Sequence, residues 1–176
     1  MGAYYMACIE GQIFDTHALD NGLKLMEHSY LYNNYCQAIE YKLLDNPKSL
    51  VWLCDYHEAN EDTKLTWENT EEVKTIAAPS TYTEHSSVIY IVNHSKGIYF
   101  EKFKLENLYE EANIEWMIHP LPILCNSDRQ SQGGGDYHPE DSRRGTWCSD
   151  DIAVYTSPNE LIENFTDVTE DCIFQR

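Results

Sequence analysis

The apolar residues of this chain fall into short runs separated by glycine, proline and acidic residues. Leu50–Cys54 is a continuous apolar run of strand length, which predicts a buried central strand, and Ile152–Tyr155 is a second such run. Between residues 31 and 44 apolar residues recur every four positions, which predicts an amphipathic helix facing a sheet. A shorter helix is predicted over residues 106–112.

Residues 11–21 recur without gaps at residues 97–107, and the match extends upstream to Tyr4 over Tyr90. The identical pairs are Gly11 with Gly97, Phe14 with Phe100, Leu19 with Leu105, and Asn21 with Asn107. Each copy predicts a β-hairpin, because a tight turn favours glycine, which tolerates positive φ. The match indicates an internal duplication.

These elements predict an α+β protein with a mainly antiparallel sheet of about six strands and helices on one face. We expect two tandem degenerate repeats related by a pseudo-twofold axis. The whole chain, 1–176, is predicted to form a single domain. Its first repeat half is 1–76, its second is 88–176, and residues 77–87 connect them.

Thirty acidic residues against twelve basic ones give a formal net charge of −18. Such a balance disfavours direct binding to nucleic acid or anionic membranes, since both require a cationic face, and it favours a basic protein partner. The acidic residues predicted to contact that partner are Glu58, Glu61, Asp62, Glu68, Glu71, Glu72, Glu160, Glu163, Asp167, Glu170 and Asp171.

The first residues show no secretion-signal pattern, and no apolar stretch approaches the ~18 residues of a membrane span. The six cysteines are scattered without a C-x-x-C pair, so we expect reduced packing residues. These features predict a cytoplasmic protein. No cofactor is predicted.

The most unusual stretch is 132–139, which contains three consecutive glycines. It is interpreted either as a disordered surface loop or as a backbone nest for an anion. Under the second interpretation the ligand-binding residues are Gly133, Gly134, Gly135, Asp136, His138, Trp147 and Asp150. Nearby histidines and acids are donors that metals accept, but their spacing matches no defined ligand set, so no metal site is predicted.

Cys148 and His138 are the residue types of a thiolate pair. The acidic residues after Cys148 would raise the pKa of its thiol, so no catalytic residue is predicted. The basic pair Arg143 and Arg144 is expected to bind Asp141 or Asp150, or to clamp an acidic group of a partner.

Several of these residues carry a resemblance: Met1-Gly2-x-Tyr4, residues 19–25 with Glu27, the run 133–136, and Gly145-x-Trp147 with Asp150. They are similar to an uncharacterised family of small microbial proteins that pair a tyrosine-rich N-terminal hairpin with a Gly-Gly-Gly-Asp motif and a later Gly-Arg-Trp-x-Gly-Asp strand. The chain departs from that pattern at Thr146, Ser149 and Asp151. The resemblance implies one α+β fold and no particular chemistry.

Three functional hypotheses follow. The first is a non-enzymatic acidic protein that binds and inhibits a basic, nucleic-acid-handling partner, as phage anti-defence or immunity-type inhibitors do. The second is a metal-assisted hydrolase that uses the Gly-Gly-Gly-Asp loop. The third is a small-ligand binding module. The charge favours the first, because a dense negative field steers the chain onto a cationic groove.

Overall fold

The computed structural model describes residues 2–77 and 82–176. It shows an α+β fold with one mixed, mostly antiparallel sheet of eight strands and four helices. The strands are β1 (Tyr5–Ile9), β2 (Gln12–Phe14), β3 (Lys48–Cys54), β4 (Glu71–Val73), β5 (Tyr90–Asn93), β6 (Ile98–Glu101), β7 (Asp151–Tyr155) and β8 (Thr166–Asp167). The helices are α1 (Leu25–His28), α2 (Asn34–Lys42), α3 (Lys102–Glu111) and α4 (Pro120–Leu124).

The strand order across the sheet is β4-β2-β1-β3-β7-β5-β6-β8. All neighbouring strands are antiparallel except β2 with β4 and β6 with β8, which are parallel. The two predicted central strands lie in β3 and β7, which pair at the middle of the sheet, so that prediction is confirmed. The prediction of about six strands is wrong, because β4 and β8 are short polar edge strands without an apolar pattern.

The two predicted hairpins form, but their turns differ in length. The β1–β2 turn has two residues, Glu10 and Gly11, both with positive φ. The β5–β6 turn has four residues and is closed by the Gly97 amide, which donates to the Asn93 oxygen at 2.9 Å. The gapless match is therefore wrong for the two strands that precede the turns, because β5 ends two residues earlier than its match with β1 requires.

One face of the sheet packs against all four helices. Alternate side chains of a strand point to opposite faces, and Tyr5, Ala7 and Ile9 of β1 join the cluster that contains the buried helix residues. Trp52 of β3 lies in the middle of this cluster and is fully buried. The prediction of helices on one face agrees with this arrangement.

The opposite face of the sheet, which we call the back face, is covered by two segments without α-helix. Residues 55–70 follow β3 and place Leu65 and Trp67 against the first half of the sheet. Residues 156–165 follow β7 and place Ile162 and Phe165 against the second half. Each half of the back face thus receives its own small apolar cluster.

The helices differ from their predicted bounds for local reasons. Helix α2 begins only at Asn34, because the Asn33 side chain accepts from the amides of Tyr35 and Cys36 and caps it. Helix α3 begins at Lys102, four residues before the predicted start. Within the described ranges no helix is long and apolar enough to cross a membrane. Part of the predicted connector, residues 78–81, lies outside the described residues.

Candidate functional site

The Gly-Gly-Gly-Asp loop folds inward, and its acidic residue is buried. Asp136 is 2% exposed, and both of its carboxylate oxygens accept from Nη2 of Arg144 at 2.8 Å. Oδ2 also accepts from the Tyr5 hydroxyl at 2.6 Å and from the Gln132 amide at 2.8 Å. Burial and this carboxylate hold the pKa of Tyr5 well above its usual range. Asp136 therefore ties the loop to β1.

The last glycine of this loop, Gly135, allows close packing against residues 24–26. The Gly135 oxygen accepts from the Met26 amide at 2.9 Å, and Gly135 has a φ of +90°. A Cβ on Gly135 would lie 2.4 Å from the Lys24 side chain. A larger residue would push the loop away from this segment, so packing accounts for Gly135.

The other predicted ligand-binding residues are dispersed. His138 is exposed and lies in a cleft of about 460 Å³ with Arg129 and Ser131, whose Oγ is 3.1 Å from His138 Nδ1. Trp147 is buried against Phe100. Asp150 accepts from Asn93 Nδ2 at 2.7 Å and from the ammonium of Lys96. Of the seven predicted residues, only His138 lines this cleft.

The basic pair separates into two different contacts. Arg143 binds Asp141 at 2.6 Å, which is one of the predicted pairings. It also lies over the Phe174 ring, a contact that was not predicted. Arg144 instead takes the buried pair with Asp136, which the sequence did not predict. Across residues 2–77 and 82–176, no group of three or more His, Cys, Asp or Glu is placed to hold a metal ion.

Cys148 is a poor nucleophile in this environment. Burial raises the pKa of its thiol to about 11, although a contact with Ser149 acts in the opposite direction. At neutral pH almost all of the thiol is protonated, whereas the thiolate is the reactive form. This agrees with the prediction that Cys148 is inert.

The eleven acidic residues predicted to bind a partner are all exposed, and we call them the acidic surface. Six lie on the two segments that cover the back face, three on the edge strands β4 and β8, and two in the 3₁₀ turn Thr169–Cys172. Three have a basic neighbour within 4 Å: Asp62 with Arg129, Glu72 with Lys74, and Asp167 with Lys104. Among the described residues the other eight form no salt bridge.

A second buried charge cluster lies among the helices. Glu40 of α2, Lys102 of α3 and His119 are each fully buried. Lys102 Nζ donates to both Glu40 oxygens, at 2.9 and 3.0 Å, and His119 Nε2 lies 2.5 Å from Oε1. Burial raises the pKa of Glu40, but the neighbouring Lys102 and His119 outweigh it and hold the pKa below its usual value. The cluster fastens α2 to α3.

The spacing of the apolar residues around Lys102 and Glu40 indicates this cluster, which the sequence analysis did not predict. Lys102, Leu105 and Tyr109 stand three and four residues apart, so Lys102 lies on the apolar stripe of α3. Glu40 of α2 stands likewise four residues after Cys36 and three before Leu43, the residue that caps the end of the helix. A charged residue on a buried stripe indicates an internal partner of opposite charge.

His28 forms a third buried polar contact. Its Nε2 accepts from the Trp52 indole at 2.9 Å, and its Nδ1 lies 3.1 Å from the Gly22 oxygen. Because the indole is only a donor and the carbonyl only an acceptor, the neutral tautomer with hydrogen on Nδ1 satisfies both. Burial lowers the pKa of His28 to about 4, even though the contact with Gly22 acts to raise it.

We expect His28 to make the stability depend on pH. With a lowered pKa the unfolded chain takes up the proton first, so the contribution is complete above pH ~6.5 and is lost as the pH falls towards about 4, at up to ~1.4 kcal/mol per pH unit. His119, whose pKa burial also lowers, adds to the same loss. NMR titration of the His28 ring separates the two. A His28 ring that titrates near pH ~6.5 would contradict the expectation.

Comparison of the chain with protein-family models, with curated proteins and with solved structures finds no significant match in any of the three. The resemblance to the family with the Gly-Gly-Gly-Asp motif stays a prediction.

Proposed function

We propose that this chain is a non-enzymatic acidic protein that binds a basic, nucleic-acid-handling protein and inhibits it, in the manner of a phage anti-defence or immunity-type inhibitor. The observation that carries the proposal is the exposure of all eleven carboxylates of the acidic surface. Most of them surround the back face and the two sheet edges. Among the described residues, eight of the eleven form no salt bridge.

The buried charges strengthen this proposal. Two ion pairs are buried, Glu40 with Lys102 and Asp136 with Arg144, and each joins one acid to one base. The two charges within each pair cancel, so the whole formal charge of −18 is carried by residues that are at least partly exposed. Such a field accelerates encounter with a cationic groove and competes there with the phosphates of nucleic acid.

We infer that the two halves arose by duplication of one unit. The strand order supports it: β1, β2, β3 and β4 in the first half have the same neighbours and directions as β5, β6, β7 and β8 in the second. The halves meet where Ser49 pairs with Asp151. These two residues also hold corresponding places in β3 and β7, as a twofold axis between them requires.

The cleft beside the glycine loop supports an alternative function, a hydrolase or a ligand-binding module. Of the residues predicted to bind a ligand, His138 is the one that lines this cleft. Ser131 lies within hydrogen-bond distance of it. Asp136 is no longer a candidate ligand-binding residue for this alternative, because its carboxylate already accepts hydrogen bonds from internal donors. The alternative therefore depends on His138.

Capture of a partner from the lysate of the cell in which the chain acts separates the two functions. We expect a basic protein that elutes with salt and whose action on nucleic acid the chain inhibits. Replacing Glu58, Glu61, Glu160 and Glu163 with lysine should abolish capture, whereas His138→Ala should leave it unchanged. A hydrolase or ligand-binding activity that is lost in His138→Ala and kept in the variant with four lysine replacements would favour the alternative.

A further inference from the structure

The most exposed tryptophan of the described chain lies among the helices, away from the back face. Trp116 is 57% exposed and Tyr32 is 41% exposed. Together with Tyr30 and Met117 they line a groove of about 270 Å³ between the residues before α2 and those after α3. The Tyr30 and Trp116 rings lie 5.7 Å apart between centroids. Large exposed aromatic residues in one groove are typical of a binding surface.

The backbone beneath the groove is firmly held. The Leu31 amide donates to the Met117 oxygen, and the His119 amide donates to the Ser29 oxygen, both at 3.0 Å. The Tyr109 hydroxyl of α3 donates to the Ile118 oxygen at 2.9 Å. These contacts hold the backbone directly after Trp116 before any ligand arrives, which lowers the entropy cost of binding.

Acidic residues predominate around the groove on the side of α3. The buried Lys102 of α3 lies beneath Tyr32, with Nζ 4.8 Å from the ring centroid, but Glu40 pairs with it. No lysine or arginine occurs between Lys104 and Arg129, whereas that stretch contains Glu106, Glu110, Glu111 and Glu115. Glu115 lines the groove, and Glu106 accepts from the Tyr32 hydroxyl at 2.6 Å. The C-terminal end of α3 adds partial negative charge nearby. Aromatic walls with carboxylates at the rim complement a cation that has an apolar stem.

We propose that this groove binds an arginine side chain of a basic protein segment, with its guanidinium stacked on the exposed indole of Trp116 and its charge facing Glu115. A guanidinium suits the site because it is planar, weakly hydrated and attracted to aromatic faces. The groove is smaller than the ~300–1,000 Å³ of sites for whole small molecules, and a single side chain fits it. The partner is of the class proposed above, but the contact is separate from the acidic surface.

The test uses a short peptide, acetyl-Gly-Ser-Arg-Ser-Gly-amide, and the same peptide with citrulline, a neutral analogue of arginine. We expect the arginine peptide to shift the Trp116 indole N–H resonance in a saturable way. The citrulline peptide should bind about tenfold more weakly to the parent chain, and the arginine peptide should bind about tenfold more weakly to Trp116→Ala, where the backbone amide resonances of residues 114–118 report binding in place of the indole. The exposure of Trp116 means that its replacement leaves the fold intact, and circular dichroism checks this.

Two further variants keep the outcome clear. Glu115→Gln preserves shape and should weaken the arginine peptide but leave the citrulline peptide unchanged. Glu160→Lys with Glu163→Lys alters the acidic surface and should leave the Trp116 response in place. Equal binding of both peptides would overturn the proposal in favour of an apolar occupant. Self-association of the unmodified chain that Trp116→Ala abolishes in sedimentation would overturn it in favour of a second copy. Loss of the response only in the Glu160 and Glu163 variant would move the contact to the acidic surface.

Discussion

Replacing Asp136 with alanine is expected to lower the free energy of unfolding by about 3–5 kcal/mol, because it leaves the buried Arg144 guanidinium without a counter-charge. Arg144 is only 3% exposed in the folded state. The change also removes the acceptor of the Tyr5 hydroxyl, which is the contact between the loop and β1. Urea unfolding at neutral pH measures the loss.

The matched control is Asp62→Ala. Asp62 also pairs with an arginine, Arg129, at 3.3 Å, but both side chains are largely exposed. Solvent screens that pair, so we expect a loss below about 1 kcal/mol. A similar small loss with Asp136→Ala would show that the Asp136–Arg144 pair is not buried in solution, and Asp136 would again be available to a ligand.

Replacing Trp52 with alanine is expected to cost about 3–5 kcal/mol of unfolding free energy. Trp52 is fully buried in β3, its ring centroid lies 6.0 Å from that of Tyr35, and its indole donates to His28. The variant loses this volume and leaves His28 Nε2 without its donor. Trp116→Ala is the control, since the same deletion at an exposed site should cost far less. A loss for Trp52→Ala below about 1 kcal/mol would show that β3 is peripheral.

The central strands were predictable because burial on both faces leaves a continuous apolar run, as in Leu50–Cys54. The edge strands were not, since β4 and β8 are short and expose acidic residues. The hairpin glycines were read correctly, but the β5–β6 turn holds two more residues than the match implied. A sequence match fixes which residues correspond and does not fix which of them pair across a turn.

The environment of Asp136 was out of reach for a different reason. Its partner Tyr5 is 131 residues away in the chain, and no local pattern links the two. The exposure of the acidic surface was predictable, because charged residues are almost never buried without a partner. The four buried residues with formal charge follow the same rule, since Glu40 pairs with Lys102 and Asp136 pairs with Arg144. The groove at Trp116 depends on two distant segments and needs the tertiary structure.

The most direct test of the proposed function is the association rate constant of the captured partner, measured against ionic strength. Glu160→Lys with Glu163→Lys and the control Glu84→Lys with Glu140→Lys each change the net charge from −18 to −14. If the acidic surface meets the partner, the first variant associates roughly tenfold more slowly at low salt and the control differs little from the parent. Equal rates for all three proteins, or association that salt does not slow, would contradict the account.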